Sequence, residues 1–165
     1  MEVRLMEAID AEAYRALRLE ALRTNPESFA SGYEEEKENS VAFYKKRLQS
    51  DSSFTYGAFY HERLVGVVTL VRDTKQKMNH RANIVAMYVT PEVRGKGIGR
   101  KVMKAAIEKA KELNGLRQIY LTVVTDNTPA KKLYESIGFV TYGVDKEALH
   151  VGGTYLDEDW MVLFL

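Results

Sequence analysis

The stretch "VTPEVRGKGIGRKVM", from Val89 to Met103, contains three alternating glycines, Gly95, Gly97 and Gly99, within a basic segment. It follows a β-rich run and precedes apolar residues at helical spacing, so it joins a strand to a helix. The first turn of a helix has unpaired N–H groups and the positive end of the helix dipole. Without Cβ atoms in the way, such amides can close around a phosphate or pyrophosphate. The stretch therefore predicts an anion-binding loop.

The glycine spacing distinguishes this loop from three known phosphate-binding loops. A P-loop needs GxxxxGK[ST], which the chain lacks. A dinucleotide-binding loop needs GxGxxG, but Arg100 occupies the third glycine position. A protein kinase is excluded by chain length and by the missing HRD and DFG motifs. What remains is R-x-x-G-x-G, formed by Arg94, Gly97 and Gly99. The alternative, a tight strand-to-helix turn with no ligand, would need only one glycine.

Regular structure is predicted on both sides of the loop. Apolar alternation indicates a strand over 83–89, and helical spacing indicates a helix over 97–113. A strand over 119–124 follows, and Asn127 then begins a helix that stops at Gly138. The other predicted elements are strands over 1–6, 54–60, 64–71, 139–144 and 155–165, a helix from an Asp10 cap through Arg23, and a helix from a Ser40 cap through Leu48.

The order of these elements predicts the architecture. Early strands form hairpins, whereas the strand–helix–strand unit around the glycine loop must cross over between parallel strands. We therefore expect an α/β fold with one mixed sheet of about seven strands and helices on both faces. No linker, repeat or low-complexity segment divides the 165 residues, so we expect a single domain over 1–165.

Composition excludes several classes of function. The net charge of +1 gives no indication of nucleic acid or membrane as a partner, and no apolar run is long enough to span a bilayer. The absence of cysteine excludes disulfides, thiolate zinc sites and a cysteine nucleophile, and is typical of a cytoplasmic protein. The three histidines are far apart, so no metal site is expected. The acidic start of the chain does not have the pattern of a signal peptide.

Two longer segments resemble motifs of a known superfamily. "MYVTPEVRGKGIGRKVMKAAIEKAK" resembles motif A of the GNAT N-acetyltransferases, [QR]xxGx[GA] after a strand, and "VTDNTPAKKLYESIGF" resembles their following segment with its LYExxGF signature. The element order is also similar, over about residues 3–164. The resemblance implies acetyl-CoA as the cofactor. It implies that the loop contacts the pyrophosphate and that the preceding strand pairs with the pantetheine. It also implies that Asn127 bonds the pantetheine or positions its helix, and that Tyr134 faces the thioester sulfur. The implied cofactor-binding residues are Met87, Tyr88, Val89, Arg94, Gly95, Lys96, Gly97, Ile98, Gly99, Arg100, Asn127 and Tyr134.

The chemistry of acetyl transfer assigns roles to two of these residues. An amine attacks the thioester, and a backbone N–H at Met87 or its neighbour could stabilise the oxyanion. The departing thiolate needs a proton, which the phenol of Tyr134 can donate. The alternative is that Tyr134 is only a core aromatic beside Leu133 and Ile137. Because no cysteine is available for an acetyl-cysteine intermediate, we expect direct transfer.

The acceptor and the general base are less defined by the sequence. The stretch over 82–89, "ANIVAMYV", which contains the strand before the loop, has no carboxylate. Ordered water, Glu34 or Glu35 therefore remain as routes for the amine proton. The superfamily places the acceptor between the loop after the first helix and the turn between the last strands. The corresponding acceptor-binding candidates are Phe29, Tyr33, Glu34 and Tyr155. The run "EEEKE" over 34–38 could attract a cation, but a solvated face is the preferred interpretation.

Three functions are therefore compatible with the sequence. The preferred one is N-acetylation of a primary amine on a small molecule. The second is acetylation of a peptide or protein at its N-terminus or at a lysine, and the third is a non-catalytic acetyl-CoA sensor. The apolar end of "TYLDEDWMVLFL" also suggests a homodimer through the C-terminal strands, unless this strand lies covered inside the sheet.

Overall fold

The computed structural model describes residues 1–165 and contains one seven-stranded sheet flanked by helices. The strands are β1 Glu2–Leu5, β2 Ser53–Tyr60, β3 Arg63–Arg72, β4 Arg81–Val89, β5 Gln118–Val124, β6 Val140–Val151 and β7 Thr154–Phe164. The helices are α1 Ala11–Thr24, α2 Tyr33–Glu36, α3 Val41–Leu48, α4 Ile98–Glu112 and α5 Thr128–Ile137. Short 3-10 turns cover Ala8–Asp10, Pro26–Ser28 and Pro91–Val93.

The strand order is β1-β2-β3-β4-β5-β7-β6. Only the β4–β5 pair is parallel, and α4 crosses over between its two strands. All other neighbours are antiparallel. The predicted mixed α/β sheet of seven strands is therefore confirmed.

Two hydrophobic clusters lie on opposite faces of the sheet. The larger contains Val102 and Met103 of α4 together with Met161 of β7. The smaller contains Tyr14 of α1 and Tyr44 of α3. Neighbouring residues of β3 enter different clusters because side chains alternate along a strand. Helices α4 and α5 thus cover one face, and α1 and α3 cover part of the other, as predicted.

Local signals set the boundaries of several helices. The Ser40 hydroxyl accepts the N–H of Phe43 at 3.2 Å, and Asn127 Oδ1 accepts the N–H of Ala130 at 3.3 Å, so both predicted caps are confirmed. Gly138 ends α5 with φ +117°. Asp10 was expected to cap α1, but its carboxylate accepts the N–H of Glu7 and binds the Arg4 guanidinium instead.

The C-terminal hairpin differs from the prediction in length and position. Strand β6 extends to Val151, well beyond the predicted end at residue 144, because a bulge with Glu147 at φ +53° interrupts the apolar alternation. Strand β7 lies between β5 and β6 and is paired along both edges. The open edge at this end of the sheet is therefore β6, and β7 offers no free edge for association.

None of the helices combines the length and the apolar composition that crossing a membrane would require.

Candidate active site

The sheet is divided between β4 and β5, the two parallel strands at its centre. Their pairing covers only Arg81–Gln118, Ala82–Ile119 and Asn83–Tyr120, and the strands separate beyond it. On the other side of β4, the register with β3 shifts between Val67 and Thr69, and Ala86 adopts φ +54°. A non-glycine residue with positive φ stores roughly 1–3 kcal/mol of strain, which the surrounding pairing must offset. The result is a cleft whose β4 wall has backbone groups with no strand partner.

The glycine loop lies at the end of β4 and presents a row of free amides. Arg94 N–H donates to the Pro91 carbonyl at 3.2 Å, and Lys101 N–H donates to the Gly97 carbonyl at 3.2 Å. None of the six amides between them, from Gly95 to Arg100, donates to an acceptor within the protein. Since α4 begins at Ile98, half of this row belongs to the positive end of a helix dipole. The pyrophosphate contacts were expected from Arg94 to Arg100. Because the Arg94 amide is bonded to Pro91, the row of free amides begins at Gly95.

The three glycines serve two purposes. Gly95 and Gly97 have φ +77° and +75°, and a Cβ on either would meet no atom within 4 Å. They therefore allow the left-handed backbone and leave open space over the amides. A Cβ on Gly99 would lie 2.9 Å from Met87 Cε and 3.2 Å from Leu133 Cδ2. Gly99 thus permits close packing of α4 against β4 and α5.

The two arginines of the loop are engaged by the protein. Arg94 Nε donates to the Val89 carbonyl at 2.8 Å, and its Nη2 donates to Asn25 Oδ1 at 2.7 Å. Arg100 Nη2 donates to the Ser136 hydroxyl at 2.6 Å. These bonds hold the loop to β4, to the end of α1 and to α5. Lys96 is exposed between the two arginines, and its charge adds to the attraction of the free amides for an anion.

The side chains of Met87 and Tyr88 enter the two cores on opposite faces of the sheet, and that of Met87 also lies against Gly99. Met87 packs against the larger cluster, and Tyr88 is part of the smaller one. The Tyr88 hydroxyl donates to Glu20 Oε1 at 3.0 Å. Burial, with the neighbouring Glu20 carboxylate, raises the pKa of Tyr88. These contacts fix β4, so that only its backbone edge remains available to the cleft.

Tyr134 projects from α5 into the larger hydrophobic cluster, which also contains Ile84 of β4 and Val123 of β5. Its side chain is 7% exposed, and its ring contacts Phe139 edge-on at 6.1 Å between centroids. Its hydroxyl makes no hydrogen bond within the protein, and burial raises the pKa of Tyr134 to about 12. The hydroxyl is therefore protonated at neutral pH and free to donate. The capping amide of Asn127 holds the first turn of α5.

The four residues predicted to bind the acceptor do not lie in one cluster. Phe29 is buried, 6.5 Å from the Tyr88 ring and 4.9 Å from the Arg18 guanidinium carbon. Tyr33 is half-buried beneath Arg23. Glu34 is exposed and pairs with Lys37. Tyr155 is exposed at the β6–β7 turn and stacks on His150 at 4.3 Å. Phe29 thus connects the loop after α1 to the β4 wall, and Tyr155 lies at the outer end of the hairpin.

A buried ion pair in the same region was missed by the sequence analysis. Glu36 belongs to the run "EEEKE", for which a solvated face was preferred, yet its side chain is buried against Arg18 with hydrogen bonds of 2.8 and 3.0 Å. The Tyr44 hydroxyl donates to the same carboxylate at 3.0 Å. Burial would raise the pKa of Glu36, but the hydrogen bonds from Arg18 lower it below its ordinary value. The preferred interpretation was therefore wrong for this one residue of the run.

Comparisons with known proteins agree with this geometry. The model of the acetyltransferase (GNAT) family matches residues 12–139. The spermidine N(1)-acetyltransferase of Vibrio cholerae is 32% identical over 58% of this chain and 54% of that protein. N-alpha-acetyltransferase 30 of Schizosaccharomyces pombe is 30% identical over 60% of this chain and 65% of that protein. The matched region thus spans less than two thirds of either relative.

A solved structure with the same fold extends the comparison to the whole chain. It is an acetyltransferase structure from Salmonella typhimurium, determined with its cofactor acetyl-CoA, and it covers 100% of this chain and 94% of that one. The TM-score is 0.86 at 20% sequence identity. The match of the family model over most of the chain, on a sheet with a divided centre and a glycine loop, confirms the resemblance seen in the two motifs. This chain belongs to the acetyltransferase (GNAT) family.

Proposed function

We propose that the protein is an acetyl-CoA-dependent N-acetyltransferase that moves an acetyl group to a primary amine of a small molecule by direct transfer. The observation that carries this proposal is the row of six free amides from Gly95 to Arg100 beside the separated strands β4 and β5. Consecutive amides at a helix N-terminus suit a pyrophosphate. An unpaired strand edge suits the amide groups of an extended pantetheine arm.

The residues around the cleft divide the work of binding this donor. The amides from Gly95 to Arg100, with the charge of Lys96, would hold the pyrophosphate. The backbone of Met87, Tyr88 and Val89 would pair with the pantetheine, although the Val89 carbonyl already accepts from Arg94. Asn127 caps α5 through Oδ1, so its Nδ2 remains available as a donor. The donor supplies the activated acetyl group.

Tyr134 is the residue proposed to protonate the departing sulfur. Its hydroxyl has no partner in the protein, and its raised pKa keeps the proton on oxygen until a stronger base appears. A backbone N–H of the β4 edge near Met87 would stabilise the oxyanion. With no cysteine in the chain, no acetyl-cysteine forms, and the amine attacks the thioester directly.

The acceptor class rests on weaker support than the donor. The Vibrio cholerae relative is named for spermidine, a small amine, which favours the preferred class. The Schizosaccharomyces pombe relative is named as an N-alpha-acetyltransferase, which supports a protein N-terminus as the second candidate. In either case Phe29, Tyr33, Glu34 and Tyr155 remain the proposed acceptor contacts, although they lie apart, on the segment after α1 and at the β6–β7 turn.

A thiol-release assay with acetyl-CoA tests this proposal. Spermidine, amino acids, aminoglycosides and short peptides would be offered in parallel. Turnover with a small amine supports the preferred class, whereas turnover with peptides alone supports the second candidate. Acetyl-CoA binding without turnover on any amine would support the non-catalytic sensor and would contradict the proposal of an enzyme.

Gly97→Glu tests the loop independently of the acceptor. The new side chain would extend into the open space above the amides and add a negative charge, so we expect loss of acetyl-CoA binding by calorimetry. Gly153→Glu is the matched control, because Gly153 also has positive φ and open space but lies in the β6–β7 turn. Unchanged affinity in Gly97→Glu would contradict the assignment of the loop.

We also propose the wider setting of the protein. Residues 1–165 form a single acetyltransferase domain that acts in the cytoplasm, in keeping with the absence of cysteine. It forms a homodimer through the C-terminal strands. The support for the dimer is the exposed apolar surface of β6 and β7, which includes Val140, Tyr142 and Trp160.

A further inference from the structure

Strand β7 contains three consecutive acids, and only the middle one is left without a cation. Asp157 binds Lys146 Nζ at 3.0 Å and accepts the N–H of Glu147 at 2.8 Å. Asp159 binds Lys131 Nζ at 2.7 Å and accepts the Thr125 hydroxyl at 2.7 Å. Glu158 forms no ion pair. A half-buried carboxylate without a counter-charge is an unusual feature of a folded chain.

The register of the sheet puts Glu158 beside the cleft. Glu158 pairs with Val124, the last residue of β5, which lies beyond the last β4–β5 pair at Asn83–Tyr120. Glu158 is therefore one strand spacing, about 4.8 Å, from the strand that forms the second wall of the cleft. Met161 packs under α4, so strand alternation puts Glu158 on the opposite face. The turn Pro26–Ser28, which leads to Phe29, packs over β5 and β6.

The groups around Glu158 add negative charge. Asp145 of β6 is its direct cross-strand partner, and like charges in such a pair repel. The pKa of Glu158 is raised, chiefly by burial and in addition by the charge of Asp145. A hydrogen bond from the Thr122 hydroxyl on β5 acts in the opposite direction. Glu27 is the charged residue of the overlying turn, and its carboxylate accepts from Asn25 Nδ2 at 3.1 Å. No positive charge of the protein meets the Glu158–Asp145 pair.

Most other acids near the cleft have partners, and Glu35, which has none, is exposed on α2 rather than half-buried. Glu20 accepts the Tyr88 hydroxyl, Glu34 pairs with Lys37, and Glu36 is held by Arg18. Strand β4 carries no carboxylate at all. We propose that Glu158 is the group that receives the proton of the acceptor ammonium, with Asp145 as a second charge that attracts a cationic acceptor; this rests on the acetyltransferase function proposed above.

The proton balance of the reaction fits one such base. The ammonium must lose two protons when it becomes an amide. Glu158 takes the first before nitrogen attacks the acetyl carbonyl, and passes it to solvent. The C–N bond then forms and the C–S bond breaks. Tyr134 gives its proton to the sulfur, and the second proton from nitrogen restores Tyr134. One thiol, one amide and one released proton result.

The kinetic test compares Glu158→Gln with Asp157→Asn. We expect Glu158→Gln to lower kcat at neutral pH by about 100-fold or more, which is the usual range for loss of a general base. Acetyl-CoA affinity should stay within about twofold. Asp157→Asn removes the neighbouring carboxylate, which is bonded elsewhere, and should keep wild-type kcat. Glu158→Asp retains a carboxylate and should recover part of the rate. Circular dichroism of each variant confirms folding.

A second readout needs no turnover. Carboxyl carbon NMR with labelled glutamate should show one resonance, absent in Glu158→Gln, that titrates above the ordinary glutamate range. Asp145→Asn should move that titration, and the acid limb of the pH profile of kcat, to lower pH.

The outcomes separate the two proposals. If the wild type shows no turnover with any amine, both the proposed acetyltransferase function and the role of Glu158 are overturned. Wild-type turnover that Glu158→Gln retains, with the same acid limb, overturns the role of Glu158 alone.

Discussion

Tyr134 combines two properties that usually belong to different residues. Its ring is packed within the main core, as a structural aromatic would be, yet its hydroxyl has no hydrogen-bond partner in the protein. The hydroxyl oxygen itself is not fully enclosed by the protein, so it can donate to a ligand while the ring stays packed. A substitution that removes only the hydroxyl therefore separates the catalytic role of Tyr134 from its role in packing.

Tyr134→Phe should lower kcat of acetyl transfer by about 100-fold or more, because the sulfur loses its proton donor. Acetyl-CoA affinity should change little, since the ring and its packing remain. Steady-state kinetics together with calorimetry checks both statements. Tyr60→Phe, at an exposed position of the β2–β3 turn, is the matched control. A Tyr134→Phe enzyme with wild-type kcat would assign Tyr134 to packing alone.

At the scale of elements, a buried ion pair fixes the segment between α1 and α3. Arg18 of α1 holds Glu36 of α2, and Tyr44 of α3 donates to the same carboxylate. Arg18 also covers the Phe29 ring, which in turn lies near Tyr88 of β4. One charge pair thus connects three helices to the wall of the cleft. Removal of this charge pair should lower the stability of the fold and should also change the position of the segment between α1 and α3.

Glu36→Ala should destabilise the fold by about 3–5 kcal/mol, because it leaves the Arg18 charge buried without a partner. Glu34→Ala removes an exposed acid two positions away, from a surface ion pair, and should change stability far less. Urea unfolding of the two variants measures the difference. Equal effects would show that the buried pair contributes no more than a surface pair.

Helix α5 is tied to β7 by a second pair, Lys131 with the buried Asp159, whose side chain is 5% exposed. The hydrogen bond from Lys131 and that from Thr125 lower the pKa of Asp159. A lowered folded-state pKa gives stability that is complete above the unfolded-state value, about 3.9, and is lost as pH falls through the folded value. The tie between α5 and β7 should therefore weaken in acid.

Asp159→Asn should melt below the wild type at pH 7, and the difference in Tm should shrink between pH 5 and pH 3. Thermal unfolding followed by circular dichroism at these pH values tests this. Glu108→Gln removes an acid from the exposed pair with Lys111, and its effect on Tm at pH 7 should be small. A difference between Asp159→Asn and wild type that does not shrink as pH falls from 7 to 3 would contradict the role of the charge.

At the scale of the whole molecule, the sheet has two unequally covered halves. Helices α1 and α3 lie over part of one face, whereas β5, β7 and β6 expose a surface on the same face that includes Tyr142 and Trp160. These two rings contact each other at 6.0 Å between centroids, and Tyr142 contacts Tyr120 at 5.7 Å. Because β7 has no open edge, any association here must use the face or the β6 edge.

The proposed homodimer can be tested by mass. Light scattering at working concentration should give twice the chain mass of 18.8 kDa. Trp160→Glu should give a single chain, because it puts a charge into the apolar surface. Ile9→Glu, at an exposed apolar residue next to α1, should leave the mass unchanged. A wild-type mass of one chain would end the dimer proposal.

Much of this structure follows from local patterns. The caps at Ser40 and Asn127 and the stop at Gly138 were predictable because they depend on residues three or four positions apart. The glycine loop was predictable because backbone conformation limits the residues that it accepts. The family, the sheet and the proposed donor all derive from such short-range signals.

Contacts between distant residues decided the rest. Sequence alone determined the order of the elements and the presence of the predicted anion-binding glycine loop. Only the tertiary structure buried Glu36 against Arg18, divided the sheet after Asn83, and put Glu158 opposite Asp145 without a cation. A charge run in the sequence does not reveal which of its members is buried, since burial depends on what packs over each side chain. The groups that could select the acceptor are set by cross-strand register, which a linear pattern does not specify.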